Sequence, residues 1–212
     1  LNASLARFLS IALHPLLMPT LLFAILLYLA PSIVGVDAFS GTLRLSLLVL
    51  IFIGTFAVPS LLIYYLYRSG YVQSLQLDTL ADRRLPYFLT AIVYAGLTFL
   101  FGFRMQLLSS VAPEIAILLG SVTVSILLVG LISLYWQISA HSVGIGGVVG
   151  AVAGIITKFG EVDLVFVLAI LVILAGLTGS ARLQLNAHTP AQIGAGFGLG
   201  FFLSMLTVQF LI

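Results

Sequence analysis

The chain has 212 residues, 62% of them hydrophobic and only 7% charged, with a net charge of +2 and no cysteine. A soluble domain, in which roughly 25% of residues are charged, is excluded, as is thiolate or disulfide chemistry, and the small scattered charge gives no footprint for nucleic acid. A membrane-crossing helix takes about 20 apolar residues, so the chain has room for six or seven spans and little else.

The first apolar run covers 5–30 and is interrupted by His14-Pro15 and Pro19. It is predicted to kink there, or to begin with a short interfacial helix. A turn-rich connection, 31–41, carries Asp37. The second run, 43–67, contains Pro59 and ends among Tyr64, Tyr65 and Tyr67; tyrosine collects at the membrane–water interface. The longest polar segment is 68–84, with Asp78, Asp82, Arg83 and Arg84. The third run is 86–103, closed by Arg104, and the fourth is 115–136. Gln137-Ile-Ser-Ala-His-Ser142 makes a second polar break before the glycine-rich fifth run, 143–156. Lys158, Glu161 and Asp163 mark the next turn, and the sixth run is 164–177. A third polar break holds Arg182, His188 and Gln192, and the last run is 190–212. Continuous Leu-rich runs, rather than alternating ten-residue segments, predict a single all-α integral membrane domain over 1–212. It is a bundle of six or seven transmembrane helices, since only helices and closed barrels satisfy their backbone in lipid.

Counting faces places the breaks. Arg83/Arg84 precede the third run, Ser139/His141 follow the fourth, and Arg182/His188 follow the sixth. An even number of spans separates each pair, so all three breaks fall on one side of the membrane. Tyr71, Tyr87, Tyr135 and Trp136 fall there too. A shared polar site at that face is the expectation. Arg7, Arg68, Arg83, Arg84 and Arg182 lie on this side, against Arg44, Arg104 and Lys158 on the other. The positive-inside rule points this face to the cytoplasm, but three of the five arginines are site candidates, and without them the bias vanishes.

The segment Ala181-Arg-Leu-Gln-Leu-Asn-Ala-His-Thr-Pro-Ala-Gln192 resembles the third motif of the type 2 phosphatidic acid phosphatase superfamily: Ser-Arg, five residues, His, three residues, Asp. Arg182 and His188 match; Ala181 stands for Ser and Gln192 for Asp. Ser139-Ala-His141 is similar to the second motif, Pro-Ser-Gly-His, with Ile138 for Pro and Ala140 for Gly. The first motif, Lys, six residues, Arg-Pro, is met only by Arg83 or Arg84 before Pro86, and Leu77 stands where the lysine belongs. The resemblance implies a lipid phosphatase domain of that type in a bacterial cell (inner) membrane. It acts on phosphatidic acid, phosphatidylglycerophosphate or a polyprenyl diphosphate, and uses no metal or other cofactor. It makes His188 the nucleophile that forms a phosphohistidine and His141 the acid that protonates the leaving oxygen. Gln192 orients His188, and Arg182, Arg84, Arg83 and Ser139 hold the phosphoryl oxygens. Arginine forks suit phosphate, and the start of the fifth helix offers free N–H groups to an anion.

Other readings of the same residues are plain. Ser139 or Ser142 is suited to cap the fifth helix. Thr189-Pro190-Ala-Gln192 has the pattern of a capping box, and Arg83/Arg84 suit lipid headgroups. The uncharged Gln192 and the missing lysine fit a non-catalytic relative that binds or carries a phosphorylated lipid. Asp78 and Asp82, four apart, are the alternative for Mg²⁺ and a diphosphate, without the second acidic cluster such a site needs. Gly146, Gly150, Gly154, Gly194, Gly196, Gly198 and Gly200 recur at four-residue spacings that let membrane helices approach closely, within the bundle or between two copies in a homodimer.

Overall fold

The computed structural model describes residues 1–77 and 79–212. Of these, 81% are helical and none lies in a strand, the all-α bundle expected. Among the described residues, seven helices are long and apolar enough to cross a membrane: Ala3–Leu29, Gly41–Arg68, Leu80–Arg104, Pro113–Ile132, Ala140–Phe159, Leu164–Gln184 and Pro190–Leu211. Seven candidates match the larger of the two expected counts, and alternation of seven spans starts the first on the face of the three polar breaks.

That first span is broken. Helix α1 (Ala3–Ala12) stops, a 3₁₀ turn covers Pro15–Leu17, and α2 (Met18–Leu29) resumes. Pro15 has no N–H for the Ile11 carbonyl, so the helix ends before it. His14 starts the turn again as its cap, its Nδ1 accepting from the Leu16 N–H at 3.3 Å. The second span is α3 (Gly41–Phe52), a π turn over Ile53–Ala57, and α4 (Val58–Arg68). Pro59 withholds the N–H that the Thr55 carbonyl would take, and the Tyr94 hydroxyl replaces it at 2.7 Å. The third span is α5 (Leu80–Phe99) with a closing π turn over Leu100–Arg104, followed by the short α6 (Gln106–Val111). Unbroken spans α7 (Pro113–Ile132), α8 (Ala140–Phe159), α9 (Leu164–Gln184) and α10 (Pro190–Leu211) complete the bundle.

The main apolar core gathers Phe23, Ile51, Ile115 and Ile155 from α2, α3, α7 and α8, all without solvent exposure. At the centre α8 lies against α10 with almost no side chain between the two backbones. Gly146 and Gly150 meet the backbone of Phe197 and Phe201, and Gly196 and Gly200 meet the carbonyls of Ser139 and Val143. A Cβ on Gly200 would overlap the Val143 carbonyl. Gly154 packs on Val208, while Gly194 and Gly198 face open space. At the far end the Lys158 ammonium donates to the Val208 and Gln209 carbonyls at 3.1 and 3.0 Å, a cation on the C-terminal end of α10. This pairing holds the starts of α8 and α10, with their histidines, side by side.

Candidate active site

His188 is set by the turn between α9 and α10. The chain reverses at Asn186, whose φ of 50° is left-handed, a conformation asparagine tolerates better than most residues. Thr189 then caps α10 with Pro190 at its first position, in a full capping box with Gln192. The Thr189 N–H donates to Gln192 Oε1 at 3.0 Å, which fixes which way that amide faces. His188 Nδ1 lies 3.2 Å from the same Oε1 and 3.2 Å from the Gln137 carbonyl. Both are oxygens that only accept, so Nδ1 carries the proton and Nε2 is left with a lone pair. Gln192 is thus both helix cap and orienting partner. His188 is only 8% exposed. Burial first, then the charges of Arg83 and Arg182, push its pKa down to about 4, against the opposing pull of its two acceptors. The ring is neutral at neutral pH.

The second break supplies His141. Ser139 caps α8 and accepts from the Ser142 N–H and hydroxyl at 3.3 and 2.9 Å. Its own N–H donates to the Gln192 carbonyl at 3.3 Å, joining the two loops. His141, one turn in, has Nε2 at 3.0 Å from the Ser10 carbonyl. That oxygen cannot donate, so Nε2 carries the proton here and Nδ1 the lone pair. The Ser10 hydroxyl meanwhile accepts from Arg182 Nη1 at 3.3 Å. The end of α1 is therefore tied to both side chains.

His141, Arg182 and His188 line one cavity of about 460 Å³, together with His14 and Ser10. The His14 ring stands edge-on to His141, centroids 5.8 Å apart. Away from this polar end the walls are mostly apolar, with Leu22, Val122, Ile126, Val143 and Val148, interrupted by Thr90, Ser125 and Ser204. Val122 lies ten residues before the end of α7 and Val148 eight after the start of α8. At 1.5 Å per residue, the cavity reaches about 12–15 Å into the bundle.

The remaining candidates do not line this cavity. Ser139 is fully buried as a cap. Arg83 is buried behind the site, its Nε and Nη1 donating to the carbonyls of Leu77 and Ile138 at 2.7 and 3.1 Å, so it ties the first polar segment to the second break. From there its charge acts on His188. Arg84 is exposed, its Nη2 3.4 Å from the Leu134 carbonyl. The Asp82 carboxylate accepts from the Gln73 N–H and the Thr79 hydroxyl at 2.9 and 2.8 Å; Asp78 lies outside the described residues. Among the described residues no three of His, Cys, Asp and Glu are placed to share a metal ion.

Two residues of the site, Ser10 and His14, were not among the sequence candidates. The signal was present: an ionisable residue within an apolar run, beside two prolines that break the helix. Compared with protein-family models, curated proteins and solved structures, the chain has no match.

Proposed function

We propose that this multi-pass protein is a phosphatase of a bacterial cell (inner) membrane that hydrolyses a lipid phosphate or diphosphate through a phosphohistidine on His188. The observation that carries the reading is the His188 tautomer. Two acceptors hold the proton on Nδ1, and the ring is neutral and shares its cavity with Arg182 and a second histidine. A structural histidine needs none of these together, whereas a nucleophile needs all three.

In the reaction, Nε2 of His188 attacks phosphorus while the bond to the lipid oxygen breaks. His141 has its Nε2–H engaged with Ser10, so a proton taken up at Nδ1 is the one passed to the leaving oxygen. Water then attacks the phosphohistidine, returning a proton to His141 Nδ1 and releasing phosphate. Arg182 steadies the phosphoryl oxygens beside a largely apolar cavity wall, where fixed charge acts more strongly than in bulk water. The apolar depth of the cavity supports an amphiphile, its head at the face and its tail among Leu22, Val122 and Val148.

A binder or carrier of a phosphorylated lipid is the second reading. It is favoured by Gln192, which gives His188 an acceptor without the charge that would stabilise its cation. The four-spaced glycines bear on a homodimer, since of the seven only Gly194 and Gly198 have open space before them for a second copy.

The test is phosphate release from a panel of lipid phosphates by the purified chain without added metal. Turnover that His188→Ala abolishes is expected. No turnover on any of them, with lipid phosphates still bound, would favour the carrier.

A further inference from the structure

We infer that His14 is a third phosphoryl-binding imidazole of this site, donating its Nε2–H to a phosphoryl oxygen. The inference rests on the reading of the cavity as a phosphate site. The Leu16 N–H donates to His14 Nδ1 at 3.3 Å, so in the neutral ring Nδ1 holds the lone pair and Nε2 the proton. Backbone geometry thus sets this tautomer, as it does for His141 and His188. Among the described residues no protein acceptor takes the Nε2–H. The ring is kept in place by Phe56, edge-on at 6.2 Å, and by His141 at 5.8 Å, and it lines the same cavity as Arg182 and His188.

The chemistry has a vacancy of this kind. A phosphoryl group presents three non-bridging oxygens, and donors arranged around them stabilise it. Arg83 is turned to two carbonyls and Arg84 is on the surface, so of the arginines weighed only Arg182 reaches the cavity. His14 adds a fixed donor from the opposite end of the chain. The break at Pro15 then has a use, because an uninterrupted helix would leave no cap position for His14 to occupy.

Two substitutions separate the donor from the cap. His14→Asn keeps an acceptor where Nδ1 stands, so the 3₁₀ turn stays capped, but it has no atom at the place of Nε2. His14→Gln keeps an N–H near Nε2 and loses the local cap. The probes are orthovanadate and dodecyl phosphate, titrated into the detergent-solubilised full chain by calorimetry. For His14→Asn, binding of both is expected to weaken roughly tenfold or more, the loss of one hydrogen bond to a charged acceptor. His14→Gln is expected to stay within about threefold of the native chain, as one neutral N–H replaces another. Native-like binding by His14→Asn, or equal weakening of both variants, overturns the role of His14 alone. Absence of binding by the native chain overturns this inference and the phosphatase reading together. Dodecyl phosphate binding more tightly than orthovanadate supports a lipid headgroup as the ligand, and equal binding overturns the lipid source.

Discussion

At the residue scale the tautomers govern what the site can do, and Gln192 is where they are open to adjustment. Its Oε1 accepts from both His188 and the Thr189 N–H. An aspartate in its place keeps an acceptor for both and adds the charge that stabilises a histidine cation in the transition state. Gln192→Asp is therefore expected to raise lipid phosphate hydrolysis roughly ten- to a hundredfold. His188→Ala should abolish turnover in either background. A cap-only role for Gln192 predicts no change in rate and at most about 1 kcal/mol in stability; initial rates and detergent melting on the same samples separate the two. The lowered pKa of His188 makes a second prediction. Activity that needs a neutral nucleophile should hold as the pH drops below the ordinary histidine range and then fall through about pH 4. Stability follows a different window. Above pH 6.5 the ring is neutral folded or unfolded. Between 6.5 and about 4 only the unfolded chain takes up the proton, so the melting temperature should decline across that interval and level off below it.

At the element scale the glycines and the π turns repay the same treatment. Gly150→Leu and Gly200→Leu each force a side chain into a backbone contact between α8 and α10. They are expected to cost about 1–3 kcal/mol or more, with loss of activity because the two histidine-bearing ends separate. Gly194→Leu, facing open space, is the matched control. Tyr94→Phe leaves the Thr55 carbonyl without its donor beside Pro59 and should lower stability by about 1–3 kcal/mol, read by detergent melting. The apolar runs, Pro59 and the glycine spacing were all legible in the sequence, because membrane helices announce themselves by composition and glycine spacing by its period. The partner of each feature was not. Nothing local in the chain says that Tyr94, 39 residues from Thr55, supplies the missing donor, or which glycine stripe turns inward. Thr189 and Ser139 as caps were readable, since a cap is made by its own neighbours. His14 was passed over because its importance comes from His141, more than a hundred residues away.

At the scale of the whole molecule, the site joins the ends of spans that are distant in the chain to a slot that descends between them. Val122→Phe narrows the lower part of that slot. Hydrolysis is expected to shift toward shorter-tailed lipid phosphates, with little change for a short-chain substrate such as butyl phosphate; a series of alkyl phosphates of increasing length measures it. Chelators should leave all of these rates unchanged, because Arg182 and histidines rather than gathered carboxylates line the cavity. Activity lost to chelation and restored by Mg²⁺ would turn attention to Asp82.

The tie between α1 and the histidine face also has a consequence for how the protein is made. Ser10 precedes His141 by 131 residues and Arg182 by 172. At a synthesis rate of about 5–20 residues per second, the front of the chain waits on the order of 10–30 s for both partners. During that interval the end of α1 has neither His141 for the Ser10 carbonyl nor Arg182 for the Ser10 hydroxyl. Helix α2 alone, with 12 residues, is about 18 Å long, short of a hydrocarbon layer of roughly 30 Å, so the first span crosses only with α1 and the Pro15 turn held in line with it. The nascent first span is therefore expected to rest partly at the interface, and to be drawn into its final place only when the last third of the protein arrives. A chain halted after residue 112 should label faster with a water-borne reagent at a cysteine replacing Ser10 than the finished chain, in which residue 10 is half-buried.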